Sequence, residues 1–520
     1  MVACTPVSSP PQAYTLRVLA SSELGNMAPI LAQATAHTGV IVRLTTKGTL
    51  IAAQEVKNGA AQRHYDAVWF ASDNYIDLFS PAANDLTGTT PIMSSPVVLA
   101  VRSSAARRLG WENGSATWTD IAEAAASGQF TFGMASPATA DAGLSGLVAA
   151  ATAIAHPNGA LQDAQIRSAV PELTGLFHGQ KLPAPDSRHL IQDYLRDLEH
   201  PGPGLPDGII DHEADLITLK AEAPRGDPLT LVYPSDGVIE ARYPLSILTT
   251  APPAARAAFE RLVGYLTSRA VQQQIMTTTH RRPVVPSARP ASDLPTGLDV
   301  LRFPGDPATV QNLVDVYFGR LRTPGRTVYV LDTSGSMRGP RLDSLKRALG
   351  ALTGAGARPA GKFSEFRTEE EVTFLPFNYR PEAPATFTIP ADDPEPVLAA
   401  IREYIDRLRA HGRTAIYDTL VDACQILKAQ DARAPGRIDS IVLITDGENN
   451  WGRSLGDFLA YYRSLPADSE PAPVYPVAVG EADLGELQQI ANVTGGTLIN
   501  AEREPLSALN TIVGDIRGYQ

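Results

Sequence analysis

The chain has 520 residues, of which 44% are hydrophobic and 19% charged, and its formal net charge is -12. That length exceeds one ordinary core and calls for roughly two to four domains. An acidic balance excludes nucleic acid as a partner, because phosphates need a basic face, and no run of about 18 uninterrupted apolar residues offers a membrane span.

Only two cysteines occur, Cys4 and Cys424, too few for a disulfide framework or a zinc site. Cys4 sits in Met1-Val2-Ala3-Cys4-Thr5-Pro6, followed by Ser8, Ser9, Pro10 and Pro11. Small residues before a cysteine and a Ser/Pro tether after it resemble the end of a bacterial lipoprotein signal, although the charged and apolar parts of such a signal are absent. Two readings stand: a lipidated Cys4 that anchors the chain at a membrane surface, or an idle cysteine in a tail spanning residues 1–13. Cys424 lies among Ile416, Leu420, Ala423 and Leu427 at helical spacing and reads as a buried thiol.

An apolar strand at 16–20 leads into Ser21-Ser22-Glu23-Leu24, a helix start, and helical sequence runs to Thr38 and Gly39. A second strand at 40–44 turns through Thr45-Thr46-Lys47-Gly48-Thr49-Leu50 into another helix, and a third strand covers 65–70 before Ser72-Asp73. This alternation predicts a mostly parallel α/β sheet. Ligands of such sheets sit beyond the carboxyl ends of the strands, here at Ser21, Ser22, Thr45, Thr46, Lys47, Ser72 and Asp73. Helix starts carry free N–H groups that suit an oxyanion, but Ser and Thr at such places also serve as caps. Lys47 either adds charge to the site or is a solvated loop lysine.

The order of Val18-Leu19-Ala20-Ser21-Ser22-Glu23-Leu24, the 45–50 turn, Ser94-Ser95-Pro96-Val97-Val98-Leu99, Ser136-Pro137-Ala138-Thr139-Ala140-Asp141-Ala142-Gly143 and Val232-Tyr233-Pro234-Ser235-Asp236-Gly237 resembles the bacterial periplasmic solute-binding proteins, the two-lobed receptors of importers. The likeness covers residues 14–290. It implies a first lobe of 14–95 and 243–290, and a second lobe of 96–242 inserted into it, with crossings near Ser95-Pro96 and Tyr243-Pro244. It also implies a small-molecule or oxyanion ligand held by Ser21, Ser22, Thr46, Lys47 and the backbone of Gly48. The acid-rich run Asp211-His212-Glu213-Ala214-Asp215 looks at first like a metal cluster. The resemblance instead gives Glu213 a place near the lobe interface.

Six prolines between Pro283 and Pro307 mark irregular chain, and residues 291–325 read as a connector that ends in a short amphipathic helix at 313–321. A second α/β unit, 326–520, then begins. Its strands are expected at 327–331, 371–377, 438–444, 474–479 and 497–499, and its helices at 341–353, 396–408, 416–429 and 484–490. The alternation predicts a doubly wound, Rossmann-like sheet.

Three loops of this unit carry oxygen donors. Val328-Tyr329-Val330-Leu331 ends at Asp332, and Ser334 and Ser336 follow at two-residue steps. Thr414 precedes a helix, and Asp446 follows the strand Ile441-Val442-Leu443-Ile444 in Thr445-Asp446-Gly447. In a parallel sheet all three loops share one edge, so two carboxylates and three hydroxyls converge, a set suited to a hard divalent cation with open positions. Ser334 and Ser336 as nucleophiles would need a histidine base and an oxyanion hole; Gly-x-Ser-x-Gly is absent and His411 is the only histidine near these loops.

This combination resembles the von Willebrand factor A-type domain with its metal-ion-dependent adhesion site, whose pattern is Asp-x-Ser-x-Ser, a distant Thr and an Asp in Thr-Asp-Gly. The resemblance implies Mg²⁺, or Mn²⁺ or Ca²⁺, ligated by Ser334, Ser336 and Thr414, with Asp332 and Asp446 acting largely through water. It further implies a protein partner that supplies an Asp or Glu. His411 stands where the family often has glycine. Together the two resemblances imply a non-enzymatic, extracytoplasmic bacterial binding protein that grips a protein partner through the cation. The alternatives are an importer's solute receptor with an appended tether and an assembly factor for an AAA-type ATPase.

Overall fold

In the computed structural model the described residues are 13–79, 85–199, 201–202, 204–292, 294–354, 365–466, 471–480 and 482–500. Cys4 lies outside them. Contacts divide the chain into two units, one formed by residues up to 199 together with 206–314, the other by 200–205 and 315 onward.

The first unit holds two sheets. One has the order Val40–Thr46, Tyr14–Ala20, Ala67–Trp69, Pro244–Leu248, Leu86–Pro91. The first three strands are parallel, as alternation with helices predicts, but Pro244–Leu248 runs antiparallel to both its neighbours. The sheet is therefore mixed. The reason is topological: this strand arrives from the other sheet rather than through a crossover helix. The core beneath it unites Leu16, Val18, Trp69, Tyr243 and Leu245 with Phe259 and Leu262 of the helix Pro253–Leu266.

The second sheet is built on the ten-residue strand Met93–Arg102, which pairs antiparallel with Leu229–Pro234 and Gly208–His212. Phe132–Ala135 continues the sheet, parallel to Gly208–His212 and Gln180–Ala184. The helix Asp141–Ala155 is buried over nearly its whole length, matching its Ala-rich sequence. The chain leaves the first sheet at Pro91 and returns at Pro244, with Tyr243 at φ 43° on the return. The short strands Glu240–Ala241 and Arg282–Pro283 both pair with the start of Met93–Arg102. At that point Arg282 makes a two-pronged ion pair with Glu213, at 2.6 and 2.7 Å.

In the second unit six strands follow the order Ala385–Thr388, Glu371–Phe377, Gly325–Asp332, Ile438–Thr445, Val474–Ala478, Ile499–Asn500. All pairings are parallel except that of the edge strand Ala385–Thr388, which the sequence reading missed. Apolar clusters cover both faces, one with Leu331, Phe374 and Leu345, the other with Val330, Leu375 and Leu420. Cys424 is buried in the second, its thiol pushed up to about 12 by burial. The helix Leu455–Arg463, capped by Ser454, was also missed. The helix expected at 313–321 begins earlier, at Pro307, and passes at Tyr317–Leu321 into a wider π turn.

The central strand starts at a fully buried Arg326, whose register partners are Glu371 and Asp439. Its guanidinium reaches Glu371 at 3.1 Å, Asp439 at 3.0 Å and the Ala434 carbonyl at 2.5 Å. Breaking a buried pair leaves charge uncompensated. Because Asp439 and Glu371 retain 20% and 15% exposure, Arg326→Met should cost about 3 kcal/mol, the low end for such pairs. Amide hydrogen exchange across Gly325–Asp332 checks this; unchanged protection would refute it.

Candidate functional site

The strand Gly325–Asp332 delivers Asp332 into the protein with no exposure. Its Oδ1 accepts the Ser334 N–H at 2.8 Å, and its Oδ2 accepts the Thr445 hydroxyl at 2.6 Å. Burial raises its pKa; the bonds from Thr445 and Ser334 oppose that shift, and the charge of Asp446 adds to it. The Ser334 and Ser336 hydroxyls lie 2.9 Å apart, and Ser336 donates to Asp446 Oδ1 at 2.8 Å. Asp446 Oδ2 accepts from Arg341 at 2.6 Å. Ser336 is exposed while Asp332 and Ser334 are buried, so the set opens to solvent at Ser336.

Thr414 is buried beside them. Its loop is stitched to the first one: His411 donates its N–H to the Thr333 carbonyl at 2.7 Å, and the Gly335 N–H reaches the Gly412 carbonyl at 3.1 Å. Gly412 adopts φ 84°, a conformation glycine takes at little cost. The third loop closes the ring, since Asn450 exchanges backbone and side-chain bonds with Thr414, at 3.0 Å each. His411 in place of glycine thus leaves the loop firmly held. Among the described residues no group of three or more His, Cys, Asp and Glu could hold a metal; a cation here would rest on hydroxyls as much as on carboxylates.

Adjacent oxygens of a Mg²⁺ octahedron, with Mg–O distances of 2.0–2.1 Å, stand about 2.9 Å apart. Ser334–Ser336 and Ser336–Asp446 stand 2.9 and 2.8 Å apart, an ordinary hydrogen-bond separation that adjacent ligands of such an ion would also show. Sequence reasoning passed over Thr445 and Arg341. Thr445 was visible inside Thr-Asp-Gly, whereas Arg341 carried no local signal.

The N-terminal candidates scatter more. Ser21 is buried, caps nothing, and its hydroxyl has no hydrogen-bond partner among the described residues. Ser22 instead donates to Glu23 at 3.3 Å. Thr46 is exposed at the strand end, and Lys47 pairs with Glu55 at 2.5 Å. Gly48 lies against the other lobe, where a Cβ would stand 2.7 Å from the Thr139 carbonyl oxygen. Glu213 is fully buried and committed to Arg282 and to the Tyr233 hydroxyl. Its Oε1 accepts from both Arg282 and the Tyr233 hydroxyl and its Oε2 from Arg282, and both partners lie on strands that pair with Met93–Arg102.

The structure adds residues the sequence did not assign. The hydroxyls of Thr49 and Ser136 are, like that of Ser21, buried without a partner. Thr49 adjoins Gly48 and Ser136 opens the turn that ends at Thr139, so these orphans flank the place where the two lobes meet. Buried polar groups normally find partners, and a bound solute or water would supply them. Beside them Glu23 Oε1 accepts the Asp141 N–H at 3.2 Å, the first turn of a helix. A carboxylate of the chain itself thus occupies one helix N-terminus, the kind of position an oxyanion would take. Arg281 holds this corner: it donates to the Glu23 carbonyl at 2.6 Å and lies over the Tyr243 ring, 4.6 Å from its centre. Burial, then the charge of Glu23, pushes Asp141 up to about 8; burial and Arg281 push His212 down to about 3.

The two units are thus a two-lobed, mixed-sheet body and a doubly wound sheet with an oxygen-lined edge. Residues 16–278, just over half of the chain, match the family of bacterial extracellular solute-binding proteins, and the chain belongs to that family. Residues 327–448 match the von Willebrand factor type A domain. Among solved structures, the periplasmic binding protein P5PA is 17% identical, covering 59% of this chain and 99% of its own, at a TM-score of 0.44. Iron-bound HitA from Pseudomonas aeruginosa is 15% identical over 58% of this chain and 98% of its own, at 0.45. A von Willebrand factor type A protein from Catenulispora acidiphila is 18% identical over 38% of this chain and 43% of its own, at 0.30. No curated protein matches.

Asp141 offers a test of the lobe contact. Burial and the charge of Glu23 raise its folded pKa to about 8, well above the ordinary aspartate range near 3.8. The native state therefore binds more protons than the unfolded state between these values, and stability falls as pH rises through that window. Asp141→Asn should remove this slope, so the variant's advantage in urea midpoint should grow from pH 4 to pH 8, by up to about 1.4 kcal/mol per pH unit. A pH-independent difference would show that the carboxyl is ionised in the folded protein.

Proposed function

We propose that this is a non-enzymatic, extracytoplasmic binding protein whose von Willebrand-type unit captures a protein partner through a divalent cation. The reading is carried by the contact chain from Asp332 through Thr445 and Ser334 to Ser336 and Asp446. In it Ser334, Ser336 and Thr414 hold the cation directly, while Asp332 and Asp446 fix charge and orientation. The bound ion supplies a Lewis-acidic position for a partner's Asp or Glu. Mg²⁺ fits the oxygen spacing, and it retains exchangeable waters at its open positions.

Charge favours an acidic last ligand. Asp332 and Asp446 bring two negative charges, but Arg341 offsets one of them at 2.6 Å. A divalent ion in that setting keeps net positive charge and attracts a carboxylate. The hydroxyl ligands withdraw nothing further from it, being neutral.

The N-terminal unit takes a small solute between its lobes. The unpartnered hydroxyls of Ser21, Thr49 and Ser136 are the feature that supports this. Glu23 across one helix start favours a neutral or hydroxylated solute over a multiply charged oxyanion. A lipid on Cys4 would keep both units at a membrane surface; no helix of the described residues is long and apolar enough to cross one.

Mn²⁺ titration followed by electron paramagnetic resonance checks the cation site without needing the partner. Wild type should bind one ion, and Asp332→Ala or Ser336→Ala should weaken binding by on the order of tenfold to a hundredfold. Arg341→Ala, which removes a competing cation from Asp446, should tighten it. Equal Mn²⁺ binding by wild type and Asp332→Ala would sink the reading.

A further inference from the structure

Four large apolar side chains stand exposed among the described residues: Ile41, Val300, Tyr379 and Trp451. Two of them touch. The Tyr379 and Trp451 rings meet edge to face, centroids 6.0 Å apart, and the Arg413 guanidinium lies 5.0 Å from the centre of the Trp451 ring. Arg413 and Trp451 belong to the loops that carry Thr414 and Asp446, and Tyr379 to the neighbouring loop after Glu371–Phe377. Arg413 precedes Thr414, Trp451 follows the Asn450 that pairs with Thr414, and Tyr379 follows Asn378, whose side chain approaches His411 Nε2 at 3.1 Å.

These rings are held, although they are half exposed. Asn449 accepts the Ile416 N–H at 2.9 Å and donates to the Arg453 carbonyl at 2.9 Å. Asn450 is tied to Thr414 on both backbone and side chain. Arg453 is fixed by Asp418 at 2.5 Å. The backbone on both sides of Trp451 is therefore pinned while its ring faces water. Tyr379 bonds back to Asn378 at 2.6 Å and lies over Gly412, where a Cβ would come within 2.8 Å of its ring. Core packing does not explain a preorganised aromatic pair in solvent; such pairs are the commonest anchors of protein interfaces.

On these loops the exposed arginines Arg338, Arg380 and Arg413 outnumber the exposed acids Glu382 and Glu448. The three arginines have no carboxylate partner among the described residues. Glu448 is the exposed acid on the loop that carries Trp451.

We propose that Tyr379, Trp451 and Arg413 form an apolar anchor at the rim of the cation site. Its occupant is an acidic, extended segment of a protein partner. That segment carries an aromatic side chain a few residues from the carboxylate that reaches the cation. The aromatic ring packs on the Tyr379–Trp451 pair, and the flanking acids meet the free arginines. The proposal rests on the cation reading above and adds to it the partner's chemistry, since a cation alone selects any accessible carboxylate.

The probe is a phage-displayed library of random linear peptides, panned in Mg²⁺ against the full chain. Enriched sequences should be net acidic and pair an Asp or Glu with a nearby aromatic residue. A synthetic copy of the best one should lose affinity on the order of tenfold or more with Trp451→Ala, with a smaller loss for Arg413→Ala, and should not bind in EDTA. Trp451 lies outside the apolar clusters, so its variant tests the surface and not the fold. Enriched peptides without an aromatic preference, or affinity unchanged within about twofold in Trp451→Ala, overturn the anchor and leave the cation reading standing. Peptides that bind equally in EDTA and to Asp332→Ala overturn both. A library that yields nothing above the Asp332→Ala protein overturns the anchor, and the Mn²⁺ titration then decides the cation reading separately.

Discussion

The second unit depends on one buried carboxylate. Asp332 ends the central strand, and each of its oxygens is spoken for: one holds the loop that follows it, through the Ser334 N–H, and the other holds the end of the neighbouring strand, through Thr445. Those two bonds fix the Ser334 and Ser336 hydroxyls and bring Asp446 into line with them. The cost of burying a charge is met by hydrogen bonds to it. A carboxylate with both oxygens committed orients the loops around it.

The first unit uses carboxylates in the opposite sense. Glu213 is closed off by Arg282 and Tyr233, which tie together strands that flank Met93–Arg102. Glu23 crosses from one lobe to the other and takes up a helix N-terminus itself. In the second unit the carboxylates leave an opening at Ser336, whereas in the first they fill positions that a ligand would use. Among the described residues, the hydroxyls of Ser21, Thr49 and Ser136 are left without a hydrogen-bond partner there, together with one oxygen each of Asp211 and Asp215 and the His212 ring.

Legibility in the sequence followed the distance over which each signal acts. The five oxygen donors sit at strand ends and a helix start, so strand alternation alone brought them to one edge, and hydrogen bonds connect four of them. The edge strand Ala385–Thr388 and the helix Leu455–Arg463 were missed because neither extends the parallel alternation that guided the reading. The N-terminal candidates were drawn from the same rule about strand ends, but there the rule met side chains with local partners: Ser22 turned to Glu23 and Lys47 to Glu55. Glu213 stood out as part of an acid-rich run, yet its partner Arg282 lies 69 residues away and only the fold joins them. Ser136 and Asp141 were inside a quoted stretch without a role, because nothing local marks which residues of one lobe will face the other.

The exposed rings beside Thr414 follow from the same loops. Asn449 and Asn450 serve two purposes at once. They satisfy the first N–H groups of the helix Ile416–Asp431 and of Thr414, and by doing so they set the backbone that carries Trp451. Helix ends leave N–H groups that must find acceptors, so the loop after Asp446 has a structural reason to lie where it does. The exposed ring at its tip has no such reason. That division, between residues that the fold requires and one that it merely positions, separates the scaffold of the site from the surface a partner would read.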